Sequence, residues 1–175
     1  MIKKSLFYKD YRISDARPLE IARHYVRVST VCETVSSFLD CEFTGLFKLS
    51  YEPVWDRALS VRICEDQLAY FFKTLLEIVY GRKTLSVDMR IDDGRFCITL
   101  STNDHLPITP EEMTRLAAIA RRVGMAHSTS NDALILSCAL FRTAYASLRS
   151  ISSNRLREKL VEIFFTGGPP VIYEE

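Results

Sequence analysis

Apolar positions along the chain follow two periods. From Pro18, the residues Leu19, Ile21, Ala22, Tyr25, Val26, Val28, Val31, Cys32, Val35, Phe38 and Leu39 recur at three-and-four spacing. That spacing predicts an amphipathic helix, or two consecutive ones, with Pro18 in the first turn. After Gly45 the period changes. Leu46–Tyr51 and Ala58–Ile63 alternate apolar with polar around a turn at Pro53 and Asp56, which predicts two strands. Glu65–Tyr80 returns to helical spacing, with acids in its first turn and Gly81 just past its end. Thr84–Ile91 and Arg95–Ser101 then alternate around Asp92-Asp93-Gly94, a hairpin signal.

A loop follows from Thr102 to Thr109. Thr109-Pro110-Glu111-Glu112 reads as a helix start, with Thr109 as cap, Pro110 in the first position and Glu112 in the third, and the helix should run to about Val123. Gly124 to Asn131 reads as a polar connector. Asp132 to about Leu148 returns to helical spacing through Leu134, Ile135, Cys138, Phe141, Tyr145 and Leu148, and Ile151 and Leu160–Phe165 read as strands. Gly167-Gly168-Pro169-Pro170 then ends the domain. The predicted class is α+β, a two-layer α/β sandwich with a mixed sheet covered by helices on one face. The expected layout is an N-terminal tail over 1–17, one domain over 18–166 and a C-terminal tail over 167–175.

Composition narrows the chemistry. Lys and Arg number 23 against 22 Asp and Glu, which offers no electrostatic case for nucleic acid or an anionic membrane. The most apolar window, Ala133 to Phe141, is well short of the ~20 residues of a membrane span. Five widely spaced cysteines, Cys32, Cys41, Cys64, Cys97 and Cys138, form no Cys-x-x-Cys pair, so no zinc site or disulfide framework is expected. They read as small buried hydrophobes of a cytoplasmic protein. Glycine occurs only 6 times, against roughly 12 at an average usage of about 7%. Glycine-rich phosphate loops are thereby disfavoured, and no P-loop, His-Glu-x-x-His or Gly-x-Ser-x-Gly motif is present. Glu111-Glu112 and Asp92-Asp93 read as a helix first turn and a hairpin turn. Arg121, Arg122, Arg142, Arg149, Arg155 and Arg157 read as a solvated basic face, and Tyr70-Phe71-Phe72 as a core anchor with part of its surface off the core.

The element order and several stretches resemble the C-terminal ATP-binding domain of bacterial sensor histidine kinases, within the GHKL group of gyrase, heat-shock chaperone, kinase and MutL ATPases. The stretches are Val61–Leu68, Thr74–Tyr80, Phe96–Ile108 and the Thr109–Met113 helix start. Together they place the resemblance over roughly residues 18–166. It implies a nucleotide cleft, and most of that cleft's chemistry is missing. The asparagine that would ligate Mg²⁺ falls on Ile78, which has no oxygen for a hard cation. The earlier position, an asparagine or catalytic glutamate in the family, falls on Thr74, which cannot act as a carboxylate base. Glu77 neighbours these positions on a helix face about 100° away from Ile78.

The adenine-reading aspartate aligns with Thr102, and its two glycines with Asp104 and Leu106; a two-residue slide makes Asp104 the reader and recovers neither glycine. Asn103 is a polar neighbour. The glycine-rich lid aligns with Ser130–Leu134, including Asn131 and Asp132, where Asp132 at a helix N-terminus would repel phosphate. His24 reads as a surface or half-buried helical residue, while His105 and His127 sit in the loops that would frame a nucleotide. No catalytic or metal-binding residue is expected.

The function implied is a histidine-kinase-type domain that has lost its Mg-ATP motifs and acts by binding a protein, such as a kinase, a response regulator or a sigma-type factor, or by dimerising through its N-terminal helix. No cofactor is expected. One alternative is a divergent active kinase that binds ATP and Mg²⁺ through Asn103, Asp104 and Asn131. A second is a small-molecule sensor using the vacated cleft between Ile78, Leu106 and Leu134.

Overall fold

The computed structural model describes residues 22–130, 132–142 and 155–165. Strand β1 (His24–Arg27) leads directly into helix α1 (Val28–Glu42). Strands β2 (Phe47–Tyr51) and β3 (Leu59–Ile63) follow, then helix α2 (Glu65–Val79) and the strands β4 (Leu85–Asp92) and β5 (Arg95–Ser101). Helix α3 (Pro110–Val123) precedes β6 (Ala126–Thr129), β7 (Ala133–Ala139) and the short β8 (Phe141–Arg142), and the last described element is helix α4 (Arg155–Phe165).

Two sheets result. The larger is mixed and five-stranded in the order β2-β4-β5-β7-β6, with β2 parallel to β4 and the other pairs antiparallel. The smaller has the order β1-β3-β8 and is antiparallel. Alternation decides which face of the large sheet is covered. Leu85, Val87 and Met89 of β4, Phe96, Ile98 and Leu100 of β5, and Leu134, Leu136 and Cys138 of β7 are buried in the one core that also holds the helices. Their neighbours Asp88, Arg90, Thr99 and Ser137 are partly or fully exposed. The α+β sandwich with a mixed sheet covered on one side is therefore the architecture observed.

The strongest sequence signals correspond to observed elements. The β4–β5 turn holds Asp93 at φ 48° and Gly94 at φ 70°, the left-handed pair that a tight hairpin needs. Thr109 caps α3 with a full capping box: its hydroxyl accepts from the Glu112 amide, and the Glu112 carboxylate accepts from the Thr109 amide. Gly124, at φ 106°, ends α3. A Cβ there would lie 3.1 Å from the Arg62 carbonyl oxygen, so only glycine lets the chain turn this close to β3.

Several expectations are corrected. The predicted N-terminal helix is interrupted at His24–Arg27, which is a strand because it finds antiparallel partners in Ser60–Ile63, and α1 begins at Val28; the predicted start, with Pro18, Leu19 and Ile21, lies outside the described residues. The stretch after Asp132 is strand β7, not a helix, since it hydrogen-bonds to β5 on one side and β6 on the other. Tyr145, Leu148 and Ile151 lie outside the described residues, as do Gly167, Gly168 and both predicted tails. The polar connector after Gly124 contains β6. Leu160–Phe165 belongs to α4, where Leu156, Leu160, Ile163 and Phe164 form one buried stripe at helical spacing. Cys32, Cys64 and Cys138 are buried as expected, whereas Cys41 is exposed and Cys97 intermediate.

Helix α2 is buried at every position except Glu77, so Tyr70, Phe71 and Phe72 all lie inside. It packs against α3 and α4, and α4 also meets α1, where Phe164 meets Phe38 edge to face at 5.0 Å and Phe43 at a tilt at 5.3 Å. Burial extends to the charges of its first turn. Glu65, 2% exposed, accepts from Arg155 Nε at 2.6 Å, and Asp66, 1% exposed, lies 3.3 Å from Lys159 Nζ. Arg155 is thus part of an ion pair rather than of a solvated basic face. Two bases one turn apart on α4 meet two adjacent acids of α2. Arg155→Met should lower the unfolding free energy by about 3 kcal/mol, because it strands a buried carboxylate. Adding Glu65→Gln should restore most of that loss, as read from paired urea denaturation curves.

Candidate functional site

The positions expected to meet a nucleotide begin on α2, whose start is tied to the end of α3 by a hydrogen bond from the Cys64 amide to the Val123 carbonyl, 3.0 Å. Thr74 and Ile78, one turn apart, share a helix face. Both are sealed from solvent, Thr74 at 0% and Ile78 at 6% exposure, and the Thr74 hydroxyl has no hydrogen-bond partner. Lys73 beside them is buried too, which lowers its pKa, with Glu77 opposing that shift. A hard cation takes six or more oxygen ligands, or keeps several waters. A sealed isoleucine and one buried threonine hydroxyl do not provide for either.

The second group sits where β5 leaves the sheet. The Thr102 amide donates to the Asp132 carbonyl at 3.3 Å, so the structure brings these two together. The Thr102 hydroxyl turns onto its own loop and donates to the carbonyls of Asp104 and His105, both at 3.1 Å. Asn103 and Asp104 are exposed. Asp104 pairs with Lys83 Nζ at 2.8 Å, which holds its carboxyl below the usual range. Leu106 packs partly buried against the core, and Leu134, on β7, is fully buried. Ile78, Leu106 and Leu134 are thus core or core-facing residues in this structure.

The lid segment is corrected. Ser130 and Asp132–Leu134 lie where β6 ends and β7 begins, and the Ser130 amide donates to the Ala133 carbonyl and its hydroxyl to Asp132. Asp132 is therefore in a strand turn and not at a helix N-terminus, and Asn131 lies outside the described residues. His24 is in β1, not a helix, with Nδ1 3.7 Å from Glu65. His105 and His127 are exposed on the β5–α3 connection and on β6.

Sequence reasoning missed a clamp on the β5–α3 connection. Arg82, just after α2, donates to the Pro107 carbonyl at 2.8 Å and makes a two-pronged contact with Glu112 at 2.8 and 2.9 Å. Together with Lys83 on Asp104, it pins the loop at two points. The Arg82 contact lowers the Glu112 pKa to about 2, helped by the Thr109 amide. An arginine just past a helix-ending glycine and a capping-box glutamate were both visible in the sequence, but nothing local links them. Burial raises the thiols of Cys32 and Cys138 to about 12, which removes them as nucleophiles at neutral pH. Among the described residues no group of His, Cys, Asp and Glu is placed to hold a metal ion, and no helix is long and apolar enough to cross a membrane.

No family model matches the chain, and no curated protein does. Solved structures similar to it include histidine kinases and their domains. The Acinetobacter baumannii histidine kinase AdeS is 10% identical, with 70% of this chain and 68% of that one aligned at a TM-score of 0.46. The catalytic domain of histidine kinase ThkA is 10% identical, over 67% and 95% of the two chains, at 0.44. The histidine kinase domain of the E. coli osmosensor EnvZ is 13% identical, over 73% and 92%, at 0.38.

The Glu112 pairing has a sign that can be checked. A carboxyl whose folded pKa lies below its unfolded value adds stability above the unfolded value, near 4.5, and loses it as pH falls toward about 2. Stability should therefore decline across that acid window. In Arg82→Gln the decline should be shallower, as measured by urea midpoints between these two pH values.

Proposed function

We propose that this domain is a regulatory protein-binding module on a histidine-kinase-type frame that does not take up Mg-ATP. The observation that carries the reading is the closure of α2: Ile78 and Thr74, the positions that would face magnesium and the phosphates, are sealed in the core. Three further features support it. The β5–α3 connection is pinned by Arg82 and Lys83. The stretch matched to a phosphate lid is a strand turn without glycine. Asp104, the remaining candidate for reading adenine, is engaged by Lys83.

A domain without nucleotide chemistry acts through its surface. Trp55 is 89% exposed in the β2–β3 loop, and Tyr25 and Phe141 stand edge to face at 5.4 Å on the small sheet, 38% and 39% exposed. Aromatic side chains of this kind are enriched where proteins meet. The exposed positions of α1 are Glu33, Ser37, Asp40, Cys41 and Glu42, which gives a helix-to-helix dimer no apolar face. Contact with a different signalling protein is the reading these surfaces favour.

A thermal-unfolding titration with ATP and Mg²⁺ tests the first half. A binding ligand at one hundred times its Kd stabilises by about 2.7 kcal/mol, and no saturable shift is expected at millimolar nucleotide. A saturable, magnesium-dependent shift would overturn the reading. For the second half, a photo-crosslinking residue in place of Trp55 should capture a signalling protein in cells; recovery of the uncrosslinked domain alone argues against it.

A further inference from the structure

A cavity of about 350 Å³ opens between α1 and β2. Glu33, Ser36, Ser37 and Asp40 line one side, at the spacing of a single helix face, and Leu49 and Tyr51 line the other, two residues apart on one face of the strand. Neither carboxylate has a cationic partner within salt-bridge distance among the described residues. Ser36 is only 8% exposed, yet its hydroxyl has no hydrogen-bond partner. A buried polar atom left this way costs free energy that a ligand donor or acceptor would recover. The groove thus carries two negative charges, two hydroxyls, an apolar floor at Leu49 and a tyrosine ring suited to face a cation.

The strand beside the cavity matters as much. In the five-stranded sheet β2 is an edge, paired only with β4. Its other edge presents unpaired backbone groups among the described residues, the template onto which an extended segment adds as a further strand. A segment paired there would turn every second side chain toward α1, where Glu33 and Asp40 wait. We infer that the α1–β2 groove is the docking site for an extended, arginine- or lysine-bearing segment of a partner protein, which adds to the β2 edge and places a cationic side chain between Glu33 and Asp40. This rests on the protein-binding reading above and names the chemistry of the partner. A compact polyamine would meet the charges and leave the strand edge unused, so the extended peptide is the better fit.

The probe is a fluorescent six-residue peptide alternating arginine and valine, followed by anisotropy, with an alternating glutamate and valine peptide and spermine as controls. Saturable binding of the basic peptide that weakens with salt is expected, with none for the acidic one. Glu33→Gln with Asp40→Asn should weaken binding by roughly tenfold or more. Ser36→Ala should weaken it by a smaller factor while leaving the melting temperature unchanged or raised, an outcome a purely structural serine would not give. Amide chemical shifts on titration should move on β2 and α1. Absence of binding, binding indifferent to the Glu33 and Asp40 changes, or displacement by spermine at equal concentration each overturn the assignment. If the peptide fails while crosslinking from position 55 still captures a protein, the groove is excluded and the protein-binding reading stands.

Discussion

A helix with core on nearly every side cannot keep charges at its start unless other segments bring opposite charge to them. Glu65 and Asp66 stabilise the N-terminus of α2 through the helix dipole, but at 2% and 1% exposure they have left water, and an uncompensated buried carboxylate costs several kcal/mol. Arg155 and Lys159 remove that cost. Helix α4 is thus held to α2 by charge at one end and by Leu160, Ile163 and Phe164 along its stripe, and through Phe164 to α1 as well. The helical layer is consequently a set of mutually dependent elements, in which α2 is the centre.

The same burial decides what the domain presents to its surroundings. On the proposed reading a nucleotide would need one polar face of α2 open to it, and Leu75, Leu76, Ile78 and Val79 are all buried. Nucleotide chemistry and a helix packed on all sides are competing uses of the same surface. With the interior of the fold committed to packing, the surfaces proposed for recognition lie at its edges: the aromatic residues around the small sheet, and the acidic groove where α1 meets the end strand of the large one.

How much of this was legible in the sequence depended on whether local pattern and pairing agreed. The Asp92-Asp93-Gly94 hairpin and the Thr109 capping box are local devices, and both are found where the residues place them. Ala133–Ala139 is different. Leu134, Ile135 and Leu136 are contiguous, so periods of two and 3.6 fit equally, and only its neighbours β5 and β6 decide for strand. His24–Arg27 continues the helical spacing of α1 and becomes a strand because Ser60–Ile63 offers it an edge. In α4 the helical signal existed but needed Leu156 to be counted with Leu160, Ile163 and Phe164. For the candidate site, the absence of a side-chain oxygen at Ile78 and the scarcity of glycine could be read from residue types alone. The Arg82 clamp and the α1–β2 groove could not, because they join residues from separate elements.

The pair between Glu65 and Arg155 spans 90 positions of the chain. During synthesis at ~5–20 residues per second, the acids of α2 emerge on the order of 10 s before the bases that neutralise them. Through that interval α2 lacks Arg155, Lys159 and the apolar stripe of α4, so its packing is completed only once α4 has emerged. The helix at the centre of the domain therefore reaches its native packing only together with α4, and until then the nascent chain must keep an apolar segment, Leu68 to Val79, from other company.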